Sequence, residues 1–143
     1  MKKFGVFVFY YCFLTGSLSG CADEKAVSLG PQEWNNLQFI VEVRPAPIRA
    51  GMTEFIVIAS REVYKPGVGL IVSYRINDKS EWHQAIQDGF SGVYRRAIRV
   101  YDPEHDVLAV HVRKSSKVSN DAGTEKETVL YFPLSQHLQK KPS

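Results

Sequence analysis

Hydrophobic and polar residues alternate along most of the chain after residue 34, and this alternation predicts β-strands. Successive side chains of a strand point to opposite faces, so a period of two marks one buried face. The clearest case is 37–44, where Leu37, Phe39, Val41 and Val43 share a face. Proline, glycine, asparagine and aspartate separate the alternating segments. Seven strands are predicted, over residues 37–44, 53–60, 69–76, 81–86, 93–101, 107–113 and 128–134.

Seven short strands between residues 34 and 135 predict an all-β domain. We expect an immunoglobulin-like antiparallel β-sandwich of about seven strands, because each of its two layers buries one face. A single closed sheet is the alternative. In the sandwich, Trp82 is expected to anchor the core, and 107–113 to pair with 93–101 as a hairpin. Residues 114–126 are polar and contain several turn residues, which predicts a mobile loop.

The first 20 residues have the order of a secretory leader. Lys2 and Lys3 are followed by an almost wholly apolar stretch over 4–14 and then by small and polar residues. The apolar stretch is too short to span a bilayer, which needs about 20 residues. Residues 1–20 are therefore predicted to be a cleaved signal peptide.

Leu18-Ser19-Gly20-Cys21 resembles the cleavage box of bacterial lipoproteins. The resemblance implies that diacylglycerol is attached to the Cys21 sulfur and that the leader is cut just before it. Ala22 follows the cysteine, which implies delivery to the outer membrane, facing the periplasm, where the cell has two membranes. An ordinary signal peptide with a chance cysteine and an uncleaved anchor are the alternatives.

The rest of the chain divides into three parts. Residues 21–33 are small, polar and charged, as expected of a flexible tether. The β-sandwich is expected over 34–135, and 136–143 are expected to be a disordered tail.

Composition excludes several classes of protein. Without Lys2 and Lys3, 16 of the 18 basic residues remain against 15 acidic ones, a balance that does not indicate nucleic-acid binding. Cys12 and Cys21 are the only cysteines, so the mature chain has no internal disulfide and no C-x-x-C pair.

The segments 88–94 (DGFSGVY), Asp102-Pro103 and 108–112 (LAVHV) resemble the latter half of YtkA-like domains, small immunoglobulin-like modules of bacterial envelopes. The resemblance implies the fold more than an activity. The methionine-rich and histidine-rich features of copper-related neighbours are lacking. A small-ligand or metal carrier, or an assembly factor of the periplasm, remains the alternative function.

Motifs for catalysis or metal binding are missing. The four histidines, His83, His105, His111 and His137, show no close metal-ligand spacing. The sequence has no G-x-S-x-G elbow, no phosphate-binding glycine motif and no carboxylate pair suited to acid and base roles. We therefore expect no metal, no cofactor and no catalytic residues, and a protein that is not an enzyme.

The strand at 93–101 suggests a basic surface. Alternation places Arg95, Arg99 and Tyr101 on one face, and a hairpin would add His111 and Arg113 from the next strand. Cations on adjacent strands repel each other unless an anionic or aromatic group lies between them. These five residues are thus the predicted partner-binding residues. The alternative is that acidic side chains of neighbouring strands, or water, screen their positive charges.

Arg96 is turned inward by the same alternation, so a bulge, a paired carboxylate or an edge position must accommodate it. Together these features predict a lipid-anchored, non-enzymatic envelope module. Its expected partner is an envelope protein or a polyanionic polymer, with a lipid headgroup as a further candidate.

Overall fold

A computed structural model describes residues 26–62, 65–78, 80–115 and 125–139. The predicted signal peptide, Cys21, most of the predicted 114–126 loop and the end of the predicted tail lie outside these residues. The described elements are β1 (Val27–Trp34), β2 (Leu37–Arg44), β3 (Gly51–Glu62), β4 (Lys65–Pro66), β5 (Leu70–Ile76), β6 (His83–Gln84), β7 (Ile86–Gln87), β8 (Val93–Val100), β9 (Val107–Lys114), β10 (Glu127–Pro133) and α1 (Gln136–Gln139).

The strands form two antiparallel sheets rather than one closed sheet. The first sheet has the order β1-β2-β3-β8-β7, with β4 paired to β3, and the second has the order β10-β9-β5-β6. In an immunoglobulin-like sandwich, β2, β3, β8 and β7 correspond to strands A, B, E and D, and β5, β9 and β10 to C, F and G. The predicted fold class is confirmed.

Apolar positions of the alternating sequence pattern are buried in the structure, and the polar positions between them are more exposed. Along β2 every second residue from Leu37 to Val43 is buried, and along β5 the same holds from Leu70 to Ile76. These side chains face the opposite sheet and form one continuous core. Burying such aliphatic and aromatic side chains is the main stabilising contribution to the fold.

Two buried tyrosines connect the sheets. The Tyr74 hydroxyl, from the second sheet, donates a hydrogen bond to the Tyr94 carbonyl oxygen at 2.6 Å and accepts one from the Val57 N–H at 3.3 Å. The Tyr94 hydroxyl donates to the Gly67 carbonyl oxygen at 3.0 Å. Burial raises the pKa of both phenols, so both hydroxyls stay protonated at neutral pH.

The domain begins earlier than the sequence pattern predicts. Residues 27–33, expected in the flexible tether, belong to strand β1, which pairs with β2. Leu29 and Trp34 are buried, but the pairing register shifts between Leu29 and Gln32. Because this irregularity breaks the period of two, the strand gives no alternating signal.

The chain also remains ordered beyond the last strand, where a disordered tail was expected. Residues 136–139 form the one-turn helix α1. Leu134 is fully buried, and its N–H donates to the Asp106 carbonyl oxygen at 3.0 Å, which holds the start of this segment against the domain. No helix in the described residues is long and apolar enough to cross a membrane.

The predicted strand 81–86 is two short strands in different sheets. β6 pairs with β5, whereas β7 pairs with β8. Between them, Ala85 is buried and donates its N–H to the Val72 carbonyl oxygen at 2.8 Å. Trp82, the expected core anchor, precedes this crossing and is 38% exposed, so that prediction is wrong.

Candidate functional site

The predicted basic face does not exist as one surface. β8 pairs with β3 and β7, and β9 pairs with β5 and β10, so the hairpin expected between β8 and β9 is wrong. Residues 101–106 instead cross from the first sheet to the second. Arg95 and Arg99 therefore lie on the first sheet, and His111 and Arg113 on the second.

A buried carboxylate holds this crossing in place. Asp106 is 5% exposed, and its Oδ2 accepts hydrogen bonds from the Tyr101 and Asp102 N–H groups, both at 2.8 Å. Its Oδ1 accepts another from Asn77 Nδ2 at 2.8 Å. Asn77 Oδ1 in turn accepts from the Val107 N–H at 2.9 Å, so the loop is joined to the end of β5.

On the first sheet, one of the two predicted arginines has an acidic side chain beside it among the described residues. Arg95 Nη2 lies 2.9 Å from Asp88 Oδ2. Arg99 pairs with Met52 across the strands, and Tyr101, just after β8, is 66% exposed. This half of the predicted site is a mixed surface rather than a cationic cluster.

Arg96 is exposed although alternation turns it toward the core. Within the described residues, β7 pairs with β8 only at Arg95 and Tyr94, so β8 is an edge from Arg96 onward. The side chain reaches water past this open edge. An inward-turned charge at an edge also opposes pairing with another chain.

The outer face of the second sheet carries an unexpected group of large side chains: Trp82, Arg75, His111 and Tyr131, here called the outer aromatic cluster. The Arg75 guanidinium carbon lies 4.3 Å from the Trp82 ring centroid. The Trp82 and His111 ring centroids are 5.5 Å apart, with the rings inclined at 50°. Both geometries are those of attractive cation–π and aromatic contacts.

Strand pairing explains the arrangement. Ala109 pairs with Arg75 on one side and with Tyr131 on the other, which puts the three residues in one row across the sheet. Ala109 is small and nearly fully buried, whereas Tyr131 remains 48% exposed. The cluster therefore presents two exposed aromatic rings, Trp82 and Tyr131, on the outer face of the second sheet.

The Trp82 ring covers part of Arg75. Arg75 Nη2 lies 2.7 Å from Asp78 Oδ1, whereas Nε is buried and has no hydrogen-bond partner among the described residues. Leaving a buried donor unpaired costs about 1–3 kcal/mol. The contact with Trp82 and the ion pair with Asp78 offset that cost and fix the side chain in position.

Charged side chains lie beside the cluster at β9 and β10. His111 Nε2 lies 3.1 Å from Glu127 Oε2, and Arg113 is exposed two residues further along β9. Both belong to the predicted site, but their neighbours are Trp82 and Glu127 rather than Arg95 and Arg99. The structure thus places two predicted residues beside a site that the sequence did not reveal.

The other histidines do not join this group in a metal site. His105 Nδ1 lies 2.8 Å from Asp102 Oδ2 in the crossing loop. That hydrogen bond raises the pKa of His105 and lowers the pKa of Asp102. His83 lies in β6, opposite Tyr74. Within the described ranges, no three His, Cys, Asp or Glu side chains are grouped so that they could hold a metal ion.

Arg75, Trp82 and Tyr131 were not predicted as functional surface residues. The feature that determines the position of Trp82 is the register of the hairpin from β5 to β6, in which Tyr74 pairs with His83. Because Tyr74 faces inward, this register turns Trp82 outward beside Arg75. Tyr131 was visible only as one residue of an alternating strand.

Comparison with known proteins gives no relative. No family profile, curated protein or solved structure matches the chain. The resemblance to YtkA-like modules therefore stays a prediction.

Proposed function

We propose that this protein is a lipid-anchored component of the bacterial cell envelope whose β-sandwich binds another envelope macromolecule without catalysing a reaction. The leader and Cys21 are the basis for the anchor. The contact surface is the outer aromatic cluster. In a cell with two membranes, the domain faces the periplasm from the outer membrane.

The observation that carries the proposal is the exposure of Trp82 and Tyr131 beside the stacked Arg75. Tryptophan, tyrosine and arginine are the residues that most often dominate the energy of binding between proteins. Arg75 is held by Asp78 and by the Trp82 ring, so little side-chain freedom remains to be lost on binding. A rigid aromatic surface favours a binding role.

The charges of the cluster favour one kind of partner. Arg75 is paired with Asp78, and the His111 ring is hydrogen-bonded to Glu127, so a carboxylate already lies beside both side chains. A strongly polyanionic polymer would have to compete with these carboxylates. The cluster therefore suits a protein partner that buries the two aromatic rings and hydrogen-bonds at their rim.

Photo-crosslinking in living cells tests the proposal. A photoreactive phenylalanine analogue at position 131 is expected to give a defined crosslinked species. Trp82→Ala should lower its yield at least tenfold. An aromatic anchor that the partner buries contributes about 1.4 kcal/mol or more to the binding free energy. The matched control is Phe90→Ala, which removes an exposed ring from the loop before β8.

The control should leave the yield unchanged. An equal loss in Phe90→Ala, or an unchanged yield in Trp82→Ala, would contradict the role of the outer aromatic cluster. Both variants should remain folded, because neither side chain belongs to the hydrophobic core, and circular dichroism of the purified proteins checks this.

A further inference from the structure

The end of the sandwich where β1 begins, here called the lower end, is close to Cys21 along the chain. Ala26 lies beside Arg44 in a small cleft, and β1 begins at the next residue. Five residue steps join Cys21 to Ala26. An extended chain covers at most about 3.6 Å per residue, so these steps span no more than about 18 Å. A lipid on Cys21 therefore holds the lower end near the bilayer.

Four exposed side chains of the first sheet lie at this end, and we call them the lower rim: Arg44, Met52, Arg99 and Tyr101. Arg44 is the last residue of β2 and follows Val43, the partner of Val27. Met52 pairs with Arg99, and Tyr101 follows two residues later. Met52 is 59% exposed, a large fraction for an apolar side chain.

The lower rim has the chemistry of a surface that meets phospholipid headgroups. Arginine binds phosphate through paired N–H groups, while the bodies of tyrosine and methionine enter the apolar part of the interface. Among the described residues, Arg99 forms no ion pair, and Arg44 reaches only Glu42, at 3.7 Å. Both guanidinium groups have donors to offer a phosphate.

Acidic residues beside the rim limit the contact to short range. Glu54 pairs with Arg44 across β2 and β3, and Asp102 and Glu104 are exposed in the adjacent loop, although the Asp102 carboxylate is hydrogen-bonded to His105. These carboxylates weaken the long-range attraction between the rim arginines and anionic headgroups. Salt also screens this attraction beyond about 10 Å. The anchor removes the need for such attraction, because it already keeps the rim within reach of the headgroups.

We propose that the lower rim contacts the phosphate-bearing headgroups of the bilayer that holds the Cys21 lipid. The inference rests on the anchor in the proposed function. It gives the domain an orientation, in which the β7–β8 loop points away from the membrane. The outer aromatic cluster, on the opposite sheet, then stays open to a partner.

Lipidated protein in vesicles of phosphatidylcholine and phosphatidylglycerol tests this orientation. Fluorescent labels are placed at Ala50→Cys, beside the rim, and at Gln87→Cys, at the other end. Each is the only free thiol, because Cys12 leaves with the leader and the Cys21 sulfur carries the lipid. The sites are about 20 Å apart along β8. A nitroxide on the lipid headgroup should quench the first label at least threefold more than the second.

Two further variants separate the rim from the tether. Arg99→Glu with Tyr101→Ser should abolish the difference, whereas Arg113→Glu with Tyr131→Ser, on the second sheet, should preserve it. A 20-residue Gly/Ser insertion after Ala22 should also preserve it, because the rim itself holds the domain.

Equal quenching of the two labels, or loss of the difference on insertion, would overturn the rim contact while the protein still floats with the vesicles. Failure to float would overturn the anchor itself, and the lipid contact with it. The two failures are therefore distinguishable.

Discussion

Asp106 and Asn77, 29 residues apart in the sequence, share a hydrogen bond of 2.8 Å between Oδ1 and Nδ2. This bond joins the loop that crosses between the sheets to the end of β5. The Asp106 carboxylate also accepts two backbone N–H groups, so it satisfies three donors in a buried place.

Asp106→Ala should therefore destabilise the domain by about 2–4 kcal/mol, because buried donors lose a charged acceptor. Urea unfolding of the chain from residue 22 onward, followed by tryptophan fluorescence, measures the change. Glu104→Ala is the control, since Glu104 is exposed in the same loop. A loss below about 0.5 kcal/mol for Asp106→Ala would contradict the structural role of the carboxylate.

Gly92 and Gly89 both have positive φ, at 73° and 57°, but only Gly92 is closely packed. A Cβ at Gly92 would lie 2.5 Å from the Ala59 carbonyl oxygen, whereas at Gly89 it would meet nothing within 4 Å. We expect Gly89→Ala to cost about 1–2 kcal/mol from backbone strain alone. Gly92→Ala should cost clearly more, and equal losses in urea unfolding would disprove the packing argument.

The pair of His105 and Asp102 should be visible in a pH titration. Asp102 raises the pKa of His105. The stabilisation of the folded state by this pair is therefore fully present below the pKa of an unfolded histidine, and it is lost as pH rises through the pKa of His105 in the folded protein. Because the Asp102 pKa is lowered, the contribution is also lost as pH falls through that folded value. Both side chains are exposed, so the effect on total stability should be small.

NMR titration of the His105 ring measures the shift directly. Asp102→Asn should lower the His105 pKa toward its ordinary value, and Glu104→Gln should lower it less, because Glu104 raises this pKa less than Asp102 does. An unchanged His105 pKa in Asp102→Asn would rule out the pairing in solution.

The two cysteines provide a matched test of the anchor. Cys21→Ser should abolish incorporation of labelled fatty acid and leave uncleaved precursor, because the proposed thioether forms on that sulfur. Cys12→Ser should change neither, since Cys12 lies inside the apolar leader. Fatty-acid labelling and the mass of the mature N-terminus measure both effects. Lipid that persists without Cys21 would refute the anchor.

The sequence by itself determined the fold class, because burial on one face imposes a period of two on a strand. In β2 and β5 that period is unbroken; both strands were predicted, and for β2 the buried face was predicted as well. Strand β1 was missed because its irregular register breaks the period, and a polar edge strand then resembles a tether.

The pairing of strands was decided only by the tertiary structure. The loop 101–106 suits a hairpin as well as a crossing between sheets, and the hydrogen bond from Asn77 to Asp106 that joins the crossing loop to β5 links residues 29 apart in sequence. For the same reason, alternation could not place Trp82 beside Arg75 or separate Arg99 from His111. Local periodicity tells which side of a strand faces the core, but the neighbours on either side depend on contacts that only the assembled sheets provide.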